Sequence, residues 1–163
     1  MARFIKAKTV EEAYFKAVNH VMSKGEMIKD ERGSRILEVL NLVVEVSEPL
    51  NHSRSVNSFW NGEKLGKYEK EFLDSDKHGF KYTYGNRLRG HFPYAETYDL
   101  EGNKEVYFDC YTDQIQEAIK RLKNCRESRR ATAVTWDPTI DTLEEDVPCM
   151  ILVYFKLRKN LLN

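Results

Sequence analysis

The apolar residues of this chain change period along its length, which limits it to a fold that mixes helices with strands. Over residues 9–24 they recur at helical spacing: Val10, Ala13, Tyr14, Ala17, Val18, Val21 and Met22 fall on one face. Thr9 and Glu12 form a capping-box pattern ahead of that stripe, and Gly25 supplies the stop. The stripe reads as core packing. Residues 36–46, I-L-E-V-L-N-L-V-V-E-V, are rich in β-branched side chains and read as one long strand ended by Pro49. Residues 58–73 return to a helical pattern through Phe59, Trp60, Leu65, Tyr68, Phe72 and Leu73. Residues 90–109 read as irregular, around a turn at Glu101-Gly102-Asn103. Asp113 is placed to cap a helix with Ile115, Ala118, Ile119 and Leu122 on its apolar face. A-T-A-V-T-W then reads as a strand, D-P-T-I-D-T-L-E-E-D as an acidic loop, and M-I-L-V-Y-F-K-L-R as a strong final strand. Irregular alternation of this kind predicts an α+β fold. A length of 163 residues suits one domain covering 1–163.

Charge narrows the partners. The chain carries 26 Lys plus Arg against 26 Asp plus Glu. Proteins that hold long nucleic acid carry a basic surplus, so DNA is not an expected partner. A small phosphorylated ligand needs only a few arginines and stays open. No run of about twenty apolar residues suggests a membrane span. The start M-A-R-F-I-K-A-K-T-V lacks the apolar stretch of a signal peptide. Three widely separated cysteines argue against a disulfide framework and for a reducing, cytoplasmic location. No Cys/His spacing resembles a structural zinc site, and no metal is expected.

Cys110, Cys125 and Cys149 compete for the role of nucleophile. Cys149 follows Pro148 where an acidic loop meets an apolar strand. A thiolate at neutral pH needs positive neighbours or a hydrogen-bond donor. The local sequence is acidic, so any activation comes from distant residues brought near by folding. A small buried hydrophobe is the alternative role for each cysteine. Arg129 and Arg130 follow Ser128 at the entry to a strand. Arginine grips phosphate through a fixed fork of donors, and a strand-end salt bridge is the alternative. Arg32 and Arg35, in K-D-E-R-G-S-R, can hold an anion or merely line a solvated turn.

Taken together these motifs resemble a known family. E-S-R-R-A-T-A-V-T-W-D-P, followed by an acidic loop and V-P-C, is similar to the central motif of thymidylate synthases. Asp113-Gln114-Ile115 with its helix, and Y-G-N-R-L-R at 84–89, also look like that family. So does the N-terminal helix followed by an arginine-bearing loop and a long strand. The resemblance covers nearly the whole chain and is closest to the archaeal branch. It implies a thymidylate-synthase-like mixed sheet with helices packed against it.

The resemblance also implies a chemistry. Cys149 matches the thiolate that adds to C6 of dUMP, after which C5 takes a one-carbon unit from a reduced pterin to give dTMP. Arg129 and Arg130 match the pair that reaches the nucleotide phosphate of a neighbouring subunit, which implies a homodimer. Arg32 matches the arginine of the N-terminal phosphate loop. Tyr84 and Arg89 match positions near the cysteine, where an arginine supplies positive charge. Glu63, in W-N-G-E-K, is the candidate for general acid/base work, with a solvated helix glutamate as the alternative. The positions where typical members pack tryptophan on the folate lie around Lys70 and Leu73, and neither Trp60 nor Trp136 replaces them. The carrier that the resemblance implies is 5,10-methylenetetrahydrofolate or a methanopterin-type analogue.

The sequence stops at K-N-L-L-N. The family continues with an arginine-serine-x-aspartate motif, an asparagine that reads the uracil and a histidine-tyrosine pair. The chain is accordingly expected to be truncated at its C-terminus. A dCMP hydroxymethylase of the same fold and a non-catalytic nucleotide-binding remnant are the alternatives.

Overall fold

The computed structural model describes residues 3–51, 62–100, 103–159 and 161–162. The chain divides into two compact units, Met1–Gly62 and Glu63–Asn163. Helices and short strands mix in both, as the α+β reading requires. Among the described residues the strands pair two by two and not as one broad mixed sheet.

In the first unit, β1 (Arg3–Ala7) runs parallel to β4 (Leu42–Val46), with Ile5 opposite Val44. Between them come helix α1 (Val10–Lys24) and a hairpin of β2 (Glu26–Lys29) and β3 (Arg35–Glu38). The helix starts where Thr9 accepts from the Glu12 amide, while the Glu12 carboxylate takes the Lys8 amide at 2.7 Å. Glu12 is held below the usual carboxylate range by its hydrogen bonds from Lys16 and Lys8. The expected core stripe is only partly inside. Ala13 is buried and Ala17 and Val21 half-buried, but Val10, Tyr14, Val18 and Met22 are exposed. The helix meets its strands through small side chains, and the large ones flank that contact.

The long strand expected over 36–46 is two strands. Asn41 takes a left-handed φ of 56°, and its carbonyl accepts from the Arg3 amide at 2.9 Å. Asparagine tolerates that region. The break lets the run serve two partners, β2 antiparallel and β1 parallel. The polar loop at 30–34 forms as a tight turn. Asp30 accepts the Ser34 amide at 2.6 Å, and Gly33 sits at φ 81°, which its missing Cβ permits.

The second unit begins with α2 (Gly62–Glu71); Phe59 and Trp60 of the expected helix lie outside the described residues. Helix α3 (Tyr84–Arg89) follows, capped by Thr83, whose hydroxyl accepts from the Asn86 amide. Residues 90–109 are not irregular. They build a hairpin of β5 (Pro93–Leu100) and β6 (Asn103–Tyr111), in register from Leu100 opposite Asn103, with a bulge between Tyr94 and Glu96. Glu101 and Gly102 of the turn signal lie outside the described residues.

Helix α4 (Gln114–Asn124) is capped by Asp113 as expected, its carboxylate accepting from the Gln116 amide at 3.0 Å. β7 (Thr132–Val134) pairs antiparallel with β8 (Leu152–Tyr154). The run A-T-A-V-T has period two. Ala131, Ala133 and Thr135 are fully inside, while Thr132 and Val134 face out. Leu88 of α3 and Ala118 of α4 complete this core. The single final strand is also two. After β8 the chain forms β9 (Leu157–Arg158), which turns at Lys159, φ 49°, to pair with β10 (Leu161–Leu162). None of the helices among the described residues is long and apolar enough to cross a membrane.

Candidate active site

The connection from β7 to β8 carries Cys149. The cysteine is exposed, and Pro148 immediately before it is fully buried. An anchored ring thus precedes a presented thiol. Hydrogen bonds fix the backbone on both sides. The Tyr82 hydroxyl donates to the Val147 carbonyl at 3.0 Å, and the Met150 amide donates to the Tyr84 hydroxyl at 3.4 Å. Thr135, buried just after β7, donates its hydroxyl to the Met150 carbonyl. Burial, then the charges of Tyr84, Asp146 and Cys149, push the Tyr82 phenol above its ordinary range, so it remains a donor. The two tyrosines belong to a row of rings. Tyr68, Phe72, Tyr84 and Tyr82 follow one another with centroids 5.9, 5.5 and 6.0 Å apart.

Beneath this lies a buried charge cluster. Arg87 of α3 is buried and donates from Nη2 to Asp141 Oδ1 at 2.6 Å. Asp141, also buried, accepts the Asp137 amide on its other oxygen at 2.7 Å. His91 Nε2 lies 2.7 Å from Asp137 Oδ2 and 3.0 Å from Arg87 Nη1. One ring nitrogen cannot donate and accept at once. The shorter contact and the carboxylate's charge assign its proton to the Asp137 bond. Burial pushes the Asp137 carboxyl up, but hydrogen bonds from Thr139 and His91 outweigh it and hold the group below its ordinary value. The Arg87 guanidinium also lies 5.8 Å from the Tyr82 ring centre, a cation–π contact.

Gln114 ties the helices to β7. Its amide donates to the Arg87 carbonyl at 2.9 Å and the Val134 carbonyl at 2.8 Å, and accepts the Val134 amide at 2.9 Å. Gln114→Ala strands all of these backbone groups. We expect it to cost about 1–3 kcal/mol, read from urea unfolding; an unchanged midpoint would rule out this bridging role.

Curated relatives match this chain over nearly its whole length. It is 47% identical to a protein of Methanothermobacter marburgensis, over 98% of this chain and 70% of that one. It is 44% identical to one of Methanothermobacter thermautotrophicus, over 97% of this chain and 70% of the relative. For Methanococcoides burtonii the figures are 40%, 97% and 65%. Each of the three is named "Putative thymidylate synthase". The chain belongs to the archaeal thymidylate synthase family. It spans about two thirds of the length of these relatives. No family model matches it.

Within this family member the expected residues fall in different places. Cys149 and Tyr84 come together through the Met150 amide. Arg89 is turned onto the cap of α4, with Nε and Nη2 each 2.9 Å from Asp113 Oδ2 and Nη1 on the Leu73 carbonyl. Arg87, two residues earlier, is the arginine drawn into the Cys149 connection. Arg129 and Arg130 are exposed just ahead of β7. Their backbone is held by Tyr154, which donates to the Arg129 carbonyl, and by Ser128, which accepts the Arg130 amide. Arg32 is exposed in the 30–34 turn of the first unit. Glu63 is exposed in the first turn of α2, where the helix dipole favours a carboxylate. Trp136 is half-buried just after β7, and Cys125 is exposed at the end of α4. Lys81, Tyr82, Arg87 and His91 were not among the candidates. The one signal for them was the excess of carboxylates in the connection they meet. Among the described residues no group of His, Cys, Asp and Glu is arranged to hold a metal ion.

Proposed function

We propose that the chain carries the nucleophilic centre of a thymidylate synthase and methylates dUMP to dTMP with a one-carbon-carrying reduced pterin. The observation that carries this reading is the presentation of Cys149. An exposed thiol follows a buried proline, with the backbone at 147 and 150 bonded to two tyrosine hydroxyls. The relatives' name supports the same activity.

In this reading Cys149 Sγ adds to C6 of dUMP, forming a C–S bond and placing the displaced electron pair at C5. C5 later loses its proton to a base, and departure of Cys149 restores the C5–C6 double bond and the thiolate. When bound, the reduced pterin supplies the one-carbon unit and the hydride that completes the methyl group. Tyr68 and Phe72, whose rings meet edge to face with centroids 5.9 Å apart, and the exposed Leu73 supply aromatic and apolar surface, so the residues present fit a folate or a methanopterin-type carrier. Glu63 is assigned to proton transfer. Arg32 is assigned to the phosphate, and Arg129 and Arg130 to the phosphate held by the other copy of a two-fold dimer.

The test is covalent trapping. The purified chain is incubated with 5-fluoro-dUMP and a methylene-carrying pterin, and its intact mass is measured. An adduct that maps to Cys149 and vanishes in Cys149→Ala is the expected result. Folded protein that forms no adduct would count against catalysis by this chain. Release of tritium from labelled dUMP and not from labelled dCMP tests the substrate.

A further inference from the structure

The connection that presents Cys149 is strongly acidic. Asp137, Asp141, Glu144, Glu145 and Asp146 all precede the cysteine within W-D-P-T-I-D-T-L-E-E-D-V-P-C. Left uncompensated, that charge opposes a thiolate. The segment 81–91 meets it at successive points. Lys81 Nζ lies 2.6 Å from Glu144 Oε2, and Arg87 Nη2 lies 2.6 Å from Asp141 Oδ1. His91 Nε2 lies 2.7 Å from Asp137 Oδ2. Among these contacts, Tyr82 and Tyr84 bond the backbone at Val147 and Met150, on either side of Cys149. Every one of these contacts joins the same short segment to the same connection.

We infer that residues 81–91 act as a strap that positions Cys149 and cancels the charge of its acidic approach, with Arg87 as the buried anchor. The inference rests on the reading of Cys149 as the nucleophile. Arg87 acts through Asp141 and the connection, so it is a positioning residue and not a catalytic one. Its burial fixes the connection in one place. Lys81 neutralises Glu144 toward one end of the connection, and His91 holds Asp137 toward the other. The Lys81 ammonium is raised above its ordinary range by its hydrogen bond to Glu144 and by the carboxylates around it, so it stays charged.

A strap that only holds structure and one that also sets charge give different patterns. The full chain is treated with iodoacetamide between pH 6 and 10, and alkylation of Cys149 and Cys125 is followed in the same digest. Cys125 is also exposed and serves as the reference within the molecule. Lys81→Met and Arg87→Gln remove positive charge and are expected to slow Cys149 at pH 7 by about three- to ten-fold, the effect of one charge several ångströms away. Glu144→Gln and Asp141→Asn remove negative charge and are expected to speed it by a similar factor. Cys125 is expected to stay put. Loosened structure alone would move all four variants in one direction, and that outcome would overturn the inference. Equal shifts at Cys125 and Cys149 would overturn it too. If the buried variants do not fold, the exposed Lys81–Glu144 pair still carries the opposite-sign test. The trapping experiment is separate. Opposite signs without an adduct would sink the nucleotide reading and leave the strap, whereas an adduct without opposite signs would sink the strap alone.

Discussion

Gly85→Ala is expected to destabilise the second unit by at least about 3 kcal/mol, beyond the ordinary range for point substitutions. A Cβ built on Gly85 lies 1.9 Å from the Asp74 carbonyl oxygen, 2.7 Å from its nitrogen and 2.8 Å from its carbonyl carbon. All of these are backbone atoms, so no side chain can swing aside. The neighbouring backbone is held as well. The Asp74 amide donates to the Glu71 carbonyl at 3.1 Å, and Asn86 Nδ2 holds the Ser75 carbonyl at 2.8 Å. Relief requires the segment 72–75, just after α2, to part from α3, which breaks the contact between the Phe72 and Tyr84 rings. Gly66 supplies the control, because a Cβ there meets nothing within 4 Å. Gly66→Ala in α2 is expected to gain stability, by about 0.8–1 kcal/mol at most. Urea unfolding of both variants is the measurement. A Gly85→Ala midpoint equal to that of the parent would show that the close approach to Asp74 does not exist.

The second large effect is at the buried ion pair. Asp141→Ala leaves Arg87 inside the protein without its carboxylate, with side-chain exposures of 4% for Arg87 and 1% for Asp141 in the parent. Removing one member of such a pair costs about 3–5 kcal/mol, because the remaining charge is desolvated and unpaired. Replacing both members, Arg87→Met with Asp141→Leu, removes the stranded charge as well as the attraction. The double variant is therefore expected to be far less damaged than the sum of Arg87→Met and Asp141→Leu made singly. Asp137 complicates the arithmetic slightly, since it stands 4.0 Å from Arg87 Nη1 and keeps part of the compensation. Denaturation of each variant decides the matter. Losses that simply add would mean that Arg87 and Asp141 are not energetically coupled.

The parts of the fold that could be read from sequence are those decided locally. Thr9 and Asp113 cap their helices through amides three residues on, so the signal and its effect lie in one stretch. The strands were misread where partner choice decides. Nothing within 36–46 says that its first part pairs with β2 and its second with β1. The hairpin over 93–111 was missed for the same reason, although its turn was marked. The site divides likewise. Pro148-Cys149 is a local motif and could be seen. The choice between Arg87 and Arg89 could not. Two residues apart on a helix, they point roughly 200° apart, and Asp141, which fixes which one turns inward, lies far along the chain. The acidic run before Cys149 is plain in the sequence. The cations that pair with Glu144 and Asp141 of that run lie more than fifty positions earlier, and no local pattern connects them to it.

On the connection, the bonds from Tyr82 and Tyr84 reach main-chain atoms, the carbonyl of Val147 and the amide of Met150. Every amino acid carries that carbonyl, and every one but proline carries that amide. The hold on the cysteine is therefore indifferent to what is written at 147 and 150. Side-chain identity at those two half-buried places bears on packing and not on this hold, whereas the tyrosine hydroxyls cannot be exchanged without losing it.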